Sequence, residues 1–181
     1  MPTVLATSRS IGHGFSKQPQ AGLRLVAGEG VEDDAHRGRT TQHLYLKRKR
    51  PALPNLCQVH LFSSEMLEEL AGLGFAIKAG ELGENLLTEG LDLLTLPRGT
   101  RLHIGLEAIV EVTGLRTPCS QIEAFRAGLQ QHLYGPPARH TRRRTLRAGI
   151  MSIVLVGGDI YPGDGIRVTL PGEPYEALGP V

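Results

Sequence analysis

The most informative stretch of the chain is Gly114-Leu115-Arg116-Thr117-Pro118-Cys119-Ser120-Gln121-Ile122-Glu123. Before it, residues 108–113 are rich in β-branched side chains and predict a strand. After it, apolar residues recur at the spacing of one helix face, namely Ile122, Phe125, Leu129 and Leu133. The stretch therefore joins a strand to a helix, and Cys119 stands at or just before the helix N-terminus.

This position of Cys119 favours a thiolate. Free amide N–H groups and the positive end of the helix dipole stabilise an anion at a helix N-terminus. Arg116 favours the same ionised form if its side chain points toward the sulfur. Ser120 with Glu123 three residues later is a capping-box pattern, and Pro118 suits the entry to a helix. A thiolate serves as a metal ligand or a nucleophile, whereas a free cysteine elsewhere usually packs as a small apolar side chain, and these residues alone leave both roles open.

Length and composition set the class of protein. At 181 residues the chain is long enough for one domain with a sizeable core. No apolar window is long enough to span a membrane, and residues 1–10 lack the pattern of a signal peptide. The two cysteines, Cys57 and Cys119, make a poor disulfide framework and suit a reducing compartment. We therefore expect a cytoplasmic protein without a membrane partner.

The net charge of +2 is small, but the positive charge is clustered. One cluster, residues 47–50, lacks helical amphipathicity and predicts a solvated loop. A denser cluster predicts a mobile loop over residues 135–147 that closes on a phosphate, and it comprises Arg139, His140, Arg142, Arg143, Arg144 and Arg147. Aromatic residues are too scarce for a base-stacking platform, which argues against a nucleic-acid partner.

Short alternating segments dominate the rest of the chain. They predict strands at residues 3–7, 58–62, 100–104, 108–113, 150–156 and 166–170. A short helix follows Ser63 or Ser64 and ends near Gly72 or Gly74. Strands at this spacing, separated by Gly and Pro turns, favour a barrel or a sandwich. We expect a mainly β fold with a few short helices, as one domain over residues 1–181 with a core of about 22–171 and a poorly ordered tail at 172–181.

Three further groups of residues carry candidate chemistry. Asp34 and His36 alternate in a Gly-bounded loop, where they either line a ligand site or form an ordinary turn. Glycines let the backbone of residues 80–86 approach a ligand closely, and Asn85 adds both donors and an acceptor. Cys57 and His60 resemble half a zinc site, but no second pair occurs and they point to opposite strand faces. We reject zinc there and expect a hydrogen-bonded core histidine at position 60.

Four segments together resemble the MOSC domain, a family named for the C-terminal part of molybdenum cofactor sulfurase, in its bacterial stand-alone form. In order, they are Gly30-Val31-Glu32-Asp33-Asp34-Ala35-His36-Arg37-Gly38, then Gly80-Glu81-Leu82-Gly83-Glu84-Asn85-Leu86, then residues 114–123, then Gly149-Ile150-Met151 through Gly157-Gly158-Asp159 and Pro162-Gly163-Asp164. Asp33 stands where relatives commonly have glycine, and Cys57 where they tend to have a basic residue.

The resemblance implies a closed β-barrel of the pyruvate-kinase-insert type and a molybdenum cofactor, molybdopterin. It implies an oxidoreductase that reduces N-hydroxylated compounds, with the Cys119 thiolate as the protein's ligand to the metal. His36 is the candidate proton donor. The residues expected to bind the cofactor are Arg116, Thr117, Asp34, Gly83, Glu84 and Asn85.

Two other functions stay open. In the first, Cys119 carries a persulfide and passes sulfur to a metal-sulfur or cofactor assembly. In the second, the barrel binds anions without catalysis. The oxidoreductase would need electrons from a redox partner protein, because the chain shows no flavin, haem or nicotinamide motif. The sequence leaves the substrate and the assembly open, including a homodimer.

Overall fold

A computed structural model describes residues 1–137 and 144–181 of the chain. Arg139, His140, Arg142 and Arg143 of the predicted closing loop lie outside these residues. The strands are β1 (Thr3–Arg9), β2 (Gln18–Gln20), β3 (Leu23–Val26), β4 (Gly30–Val31), β5 (Val59–Ser63), β6 (Leu86–Glu89), β7 (Arg101–Ile104), β8 (Ala108–Leu115), β9 (Tyr134–Pro137), β10 (Arg144–Leu146), β11 (Ile150–Val156), β12 (Gly158–Ile160) and β13 (Ile166–Thr169). The α-helices are α1 (Leu44–Lys49), α2 (Ser64–Gly72) and α3 (Ser120–Phe125), with 3-10 turns at Leu93–Thr95 and Gln130–Leu133.

The fold is mainly β with few helices, as predicted. Its main sheet has eight strands in the order β13-β7-β8-β11-β5-β6-β1-β2. β5 and β6 run parallel, and α2 lies in the connection between them. Smaller sheets pair β12, β3 and β4, and β9 with β10. Within the described residues, none of the helices has the length and apolarity needed to cross a lipid bilayer.

The predicted closed barrel is wrong, because the main sheet is open. Its outer strands are β13 and β2, and no ladder joins them within residues 1–137 and 144–181. One isolated bridge, Thr3 to Gly165, and three backbone hydrogen bonds connect residues 2–4 with residues 163–166, and they do not extend into a ladder. Pro2 has no N–H to donate, and residues 161–164 facing β1 form a turn held by the Asp164 carboxylate on the Tyr161 amide. A turn offers too few aligned groups to extend the ladder.

The elements around the site form as their sequences predict. In β5, Val59 and Leu61 face one apolar cluster while Phe62 faces another, which is the expected alternation. Ser63 caps α2, since its hydroxyl accepts a hydrogen bond from the Met66 amide at 3.3 Å. β8 follows the predicted segment and continues to Leu115, which leads directly into the Cys119 loop.

The core has two parts. The larger lies against the main sheet and includes Leu61, Leu102 and Ile150. The smaller packs α2 and the segment after Cys119 together through Phe62, Leu70, Ile122, Leu129 and Leu133, with Cys119 partly buried against it. This second cluster therefore fixes the position of the Cys119 loop relative to β5.

Several local expectations differ from the structure. The helix predicted across residues 120–133 breaks after Phe125, and Gly128 adopts a positive φ of 82° before a separate 3-10 turn. Glu123 accepts from the Gly128 amide rather than closing a capping box. The basic residues 47–49, expected in a loop, end helix α1. Residues 172–181, expected to be a poorly ordered tail, instead hydrogen-bond to β8 through Gly179 and Val181.

Candidate functional site

A pocket of about 380 Å³ gathers four of the predicted site residues: His36, Gly83, Asn85 and Arg116. They come from three segments that are far apart in the sequence, which the fold brings to one place. The volume lies in the range of small-molecule sites. The fold therefore brings residues of these three segments together in one pocket.

A buried ion pair forms the wall behind the pocket. Lys17 Nζ lies 2.8 Å from Asp34 Oδ2, and the two side chains are only 5% and 1% exposed. Burial lowers the pKa of Lys17, although the Asp34 charge opposes that change. Burial alone would raise the pKa of Asp34, but its contacts with His36 and Lys17 outweigh burial and hold it well below its usual value. Asp34 is therefore a carboxylate at neutral pH.

The Asp34 carboxylate also positions His36. Oδ1 accepts a hydrogen bond from the His36 amide at 2.9 Å, and His36 Nδ1 lies 3.4 Å from the same oxygen. This Nδ1 atom is buried, and within residues 1–137 and 144–181 it has no hydrogen-bond partner of good geometry. Asp33, where relatives have glycine, adopts the left-handed conformation at φ 57° to make the turn. The loop thus forms an Asx turn and still presents an imidazole to the pocket.

Alternation along residues 83–85 separates their roles. Gly83 and Asn85 line the pocket, whereas Glu84 is buried behind them. Asn85 Nδ2 donates to Asp34 Oδ2 at 3.1 Å, and its Oδ1 accepts from the His60 amide. Glu84 Oε1 accepts from the Gly80 amide, Oε2 has no hydrogen-bond partner among the described residues, and burial raises the pKa of this carboxyl. Glu84, predicted to bind the cofactor, is not brought to the pocket.

Arg116 lines the pocket and neighbours Cys119, which is not itself among the described residues that line it. Its guanidinium donates to the Leu82 carbonyl, and no ion pair joins it to a carboxylate of the described residues. Burial lowers its pKa, and the neighbouring Cys119 and Glu84 oppose that change. Cys119 is the N-cap residue of α3, beside the pocket-lining Gln121, whose Oε1 lies 3.7 Å from the sulfur. The predicted neighbourhood of Arg116 and Cys119 is therefore present.

Thr117 lies apart from this arrangement. It is exposed and borders a different groove, between residues 92–95, β10 and the C-terminal segment. The structure does not bring Thr117 to the pocket, because successive residues of the extended chain point in opposite directions.

The MOSC domain family model matches residues 48–167. The chain belongs to the MOSC domain family. This match contains the Cys119 segment and the Gly80–Leu86 segment, while the Asp34–His36 loop lies before it. MOSC membership relates the chain to molybdenum cofactor sulfurase and so to molybdenum-cofactor chemistry.

Solved structures with the same fold include proteins from three bacteria. The YUAD protein from Bacillus subtilis is 23% identical, with a TM-score of 0.75 over 95% of this chain and 98% of that one. YiiM from Geobacillus stearothermophilus is 21% identical, with a TM-score of 0.62 over 97% of this chain and 76% of that one. YiiM from Escherichia coli is 15% identical, with a TM-score of 0.60 over 96% of this chain and 73% of that one. At these identities the likeness shows the fold. No curated protein matches the chain in sequence.

Sequence reasoning missed several residues of this MOSC pocket. Lys17 directly precedes β2 and belongs to no recognisable local motif, and only its buried partner reveals its place. His13 and Gln121 also line the pocket, as does Cys57, whose thiol pKa is raised by burial. His60 lines it too, with Nε2 2.9 Å from the Ala148 carbonyl. The prediction of a hydrogen-bonded core histidine at position 60 is confirmed.

The described side chains of the MOSC pocket do not form a complete set of metal ligands. Among the described residues, no three His, Cys, Asp or Glu side chains cluster at a spacing suited to a metal ion. A metal at Cys119 would therefore take most of its ligands from a cofactor. The donor set fits such a cofactor, because a soft sulfur lies beside a partly buried guanidinium that has no carboxylate partner among these residues.

Proposed function

We propose that the protein is a molybdenum-cofactor-binding oxidoreductase that reduces N-hydroxylated compounds, with the Cys119 sulfur as its ligand to the metal. One observation carries this proposal: Arg116, a partly buried cation with no carboxylate partner among the described residues, lines the pocket and neighbours Cys119. A buried charge without a counter-charge is costly. A thiolate at Cys119 on one side and an anionic ligand on the other would supply that counter-charge.

The residues around the pocket divide the binding work. Arg116 and the backbone at Gly83 would hold the anionic part of the cofactor, and Asn85 adds a fixed amide at the pocket wall. Asn85 is held in place because it bonds Asp34, the Ser8 carbonyl and the His60 amide. When bound, the cofactor would supply the two-electron chemistry through its metal. This chain supplies the sulfur ligand, the anion site and the protons.

Reduction of an N–O bond consumes two electrons and two protons and releases an amine or amidine and water. His36 is the candidate proton donor because its ring lines the pocket, while its Nδ1 side faces the Asp34 carboxylate at 3.4 Å. Asp34 stays ionised next to it and would stabilise the imidazolium. The electrons would come from a redox partner protein.

A second function is favoured by the same sulfur. Cys119 is partly exposed and would carry a persulfide if no metal is bound, in which case the protein would deliver sulfur to a metal-sulfur or cofactor assembly. The two functions share Arg116 as the group that stabilises a sulfur anion. They differ in what the purified protein contains.

The deciding experiment is elemental analysis of protein produced in a host that makes molybdenum cofactor. About one molybdenum per chain, together with reduction of benzamidoxime, supports the oxidoreductase. Cyanide-labile sulfur without molybdenum supports the carrier. A purified protein that contains neither molybdenum nor labile sulfur would overturn both proposed functions and leave an anion-binding protein.

Cys119→Ser and Cys57→Ser form a matched pair for this test. Serine keeps the size but replaces a soft thiolate by a hard, neutral hydroxyl, so Cys119→Ser should stay folded and lose both molybdenum and activity. Cys57→Ser should lose neither, because burial raises the pKa of Cys57 and keeps that thiol neutral. Full molybdenum and activity in Cys119→Ser would contradict the proposed ligand, and equal losses in both variants would contradict its assignment to Cys119.

A further inference from the structure

We propose that the mouth of the pocket binds an anionic group on the substrate, so that the preferred substrates carry a carboxylate or a phosphate. The proposal rests on the proposed function for the reacting N–O group only. The anion site itself follows from the charges around the mouth. Helix α1 supplies most of them.

Helix α1 contributes both wall and charge to the mouth. Leu44 and Tyr45 line the pocket and are more than half exposed. Lys49 Nζ lies 4.6 Å from the centre of the Tyr45 ring and donates to its hydroxyl at 2.7 Å. Lys47 Nζ donates to Gln42 Oε1 at 2.8 Å. The two ammonium groups are thus held by neutral partners beside a pocket-lining aromatic ring.

Among the described residues, no carboxylate pairs with the ammonium groups of Lys47 and Lys49. None of the ion pairs between described residues involves Lys47 or Lys49. The described side chains that line the pocket include no Asp or Glu. Asp34, behind the wall, is paired with Lys17, and burial raises the pKa of Glu84, which favours its neutral form. The mouth is therefore positive, and its charge is free to attract an anion.

The charge of Lys47 reaches the pocket itself. Burial and the neighbouring His36 and Lys47 together lower the pKa of His13, which lines the pocket. The His13 ring stands edge-on to His36 with centroids 5.4 Å apart. An anionic group held between α1 and His13 would leave the rest of the substrate pointing inward, toward His36 and Asn85. This order places the reacting group at the proton donor.

The first test measures binding to the protein without cofactor, so it does not depend on catalysis. Benzoate, phenyl phosphate and the neutral isostere benzamide are titrated by NMR or calorimetry. We expect benzoate or phenyl phosphate to bind more tightly than benzamide, and raising the ionic strength from about 0.02 M to about 0.5 M to weaken only the anions. The tighter of the two anions identifies the carboxylate or the phosphate as the preferred group. Equal binding of all three compounds would overturn the proposal.

The second test removes the charges. Lys47→Gln/Lys49→Gln should weaken anion binding by about fivefold, as two partly screened charges allow. The control Arg101→Gln/Arg167→Gln removes the same net charge from β7 and β13 and should have no effect. In the loaded enzyme, the first variant should lower kcat/KM for 4-carboxybenzamidoxime and leave benzamidoxime unchanged. Equal losses in both variants would overturn the proposal by showing an effect of net charge alone. If the protein reduces neither compound, the proposed function fails while the binding results still decide the anion site.

Discussion

Asp34→Ala should destabilise the fold by about 3–5 kcal/mol, because it leaves a lysine buried without its counter-charge. Lys17 Nζ is 2.8 Å from the carboxylate and only 5% of its side chain is exposed. The same change removes the acceptor of the His36 amide and of Asn85 Nδ2. A typical domain is stable by about 5–15 kcal/mol, so this variant should approach the limit of folding.

Urea unfolding followed by circular dichroism measures this difference. The control is Glu111→Ala, which breaks the 3.2 Å ion pair with Arg101. The Glu111 side chain is 28% exposed and that of Arg101 is 56% exposed, so this change should lower the stability by only about 0–1 kcal/mol. Lys17→Met/Asp34→Leu removes both buried charges and should recover most of the loss. An Asp34→Ala variant no less stable than Glu111→Ala would refute the reasoning.

The same carboxylate predicts a pH dependence. Its contacts with His36 and Lys17 outweigh burial and hold the pKa of Asp34 well below its usual value. Its contribution to stability is therefore complete above the ordinary carboxyl pKa of about 4 and is lost as the pH falls toward the lowered value. Asp34→Asn should be less stable than the wild type at pH 7, and the gap should narrow below about pH 4. A constant gap across this range would contradict the low pKa.

Two further substitutions test the surroundings of the site. Glu84→Gln should gain stability relative to the wild type as the pH rises above the ordinary carboxyl pKa of about 4, because burial raises the pKa of Glu84 and opposes its ionisation in the folded protein. Glu65→Gln, at an exposed carboxylate that also accepts a backbone amide, should show no such gain in urea unfolding. Gly149→Ala should cost about 2–4 kcal/mol, because φ is +88° and the new Cβ meets the Leu61 carbonyl. Gly172→Ala has open space around the new Cβ and should leave the stability almost unchanged. Thermal unfolding of the two glycine variants measures the difference.

The sequence predicted those parts of the fold whose patterns are local. β5 and α2 were predicted because alternation, a serine cap and glycines at the end coincide within a few residues. β3 and β6 were missed; in β6, the sequence Leu86-Leu87-Thr88-Glu89 lacks the apolar–polar alternation that marks β7 and β13, which are equally short. The closed barrel failed for a different reason. Closure depends on whether the residues before β13 meet β1 as a strand or as a turn, and no local pattern decides that.

The site shows the same division. His36, Asn85 and Arg116 were predicted because they belong to segments with recognisable glycines and polar residues, and they do meet in one pocket. Lys17 was not, because its importance comes from burial against Asp34 and not from its neighbours in sequence. Glu84 and Thr117 were assigned by position within a motif, yet alternation of the extended chain points them away from the pocket.

Arg116 connects these parts of the site. Its amide donates to the Gly149 carbonyl at 3.0 Å, which fixes the end of β8 against the start of β11. Its guanidinium donates to the Leu82 carbonyl, which fixes the loop that carries Gly83 and Asn85. These two hydrogen bonds go to backbone carbonyls, which orient the residue without neutralising its charge. A cation held in this way borders both a cysteine and a pocket, and that is the arrangement that a sulfur anion and an anionic ligand would share.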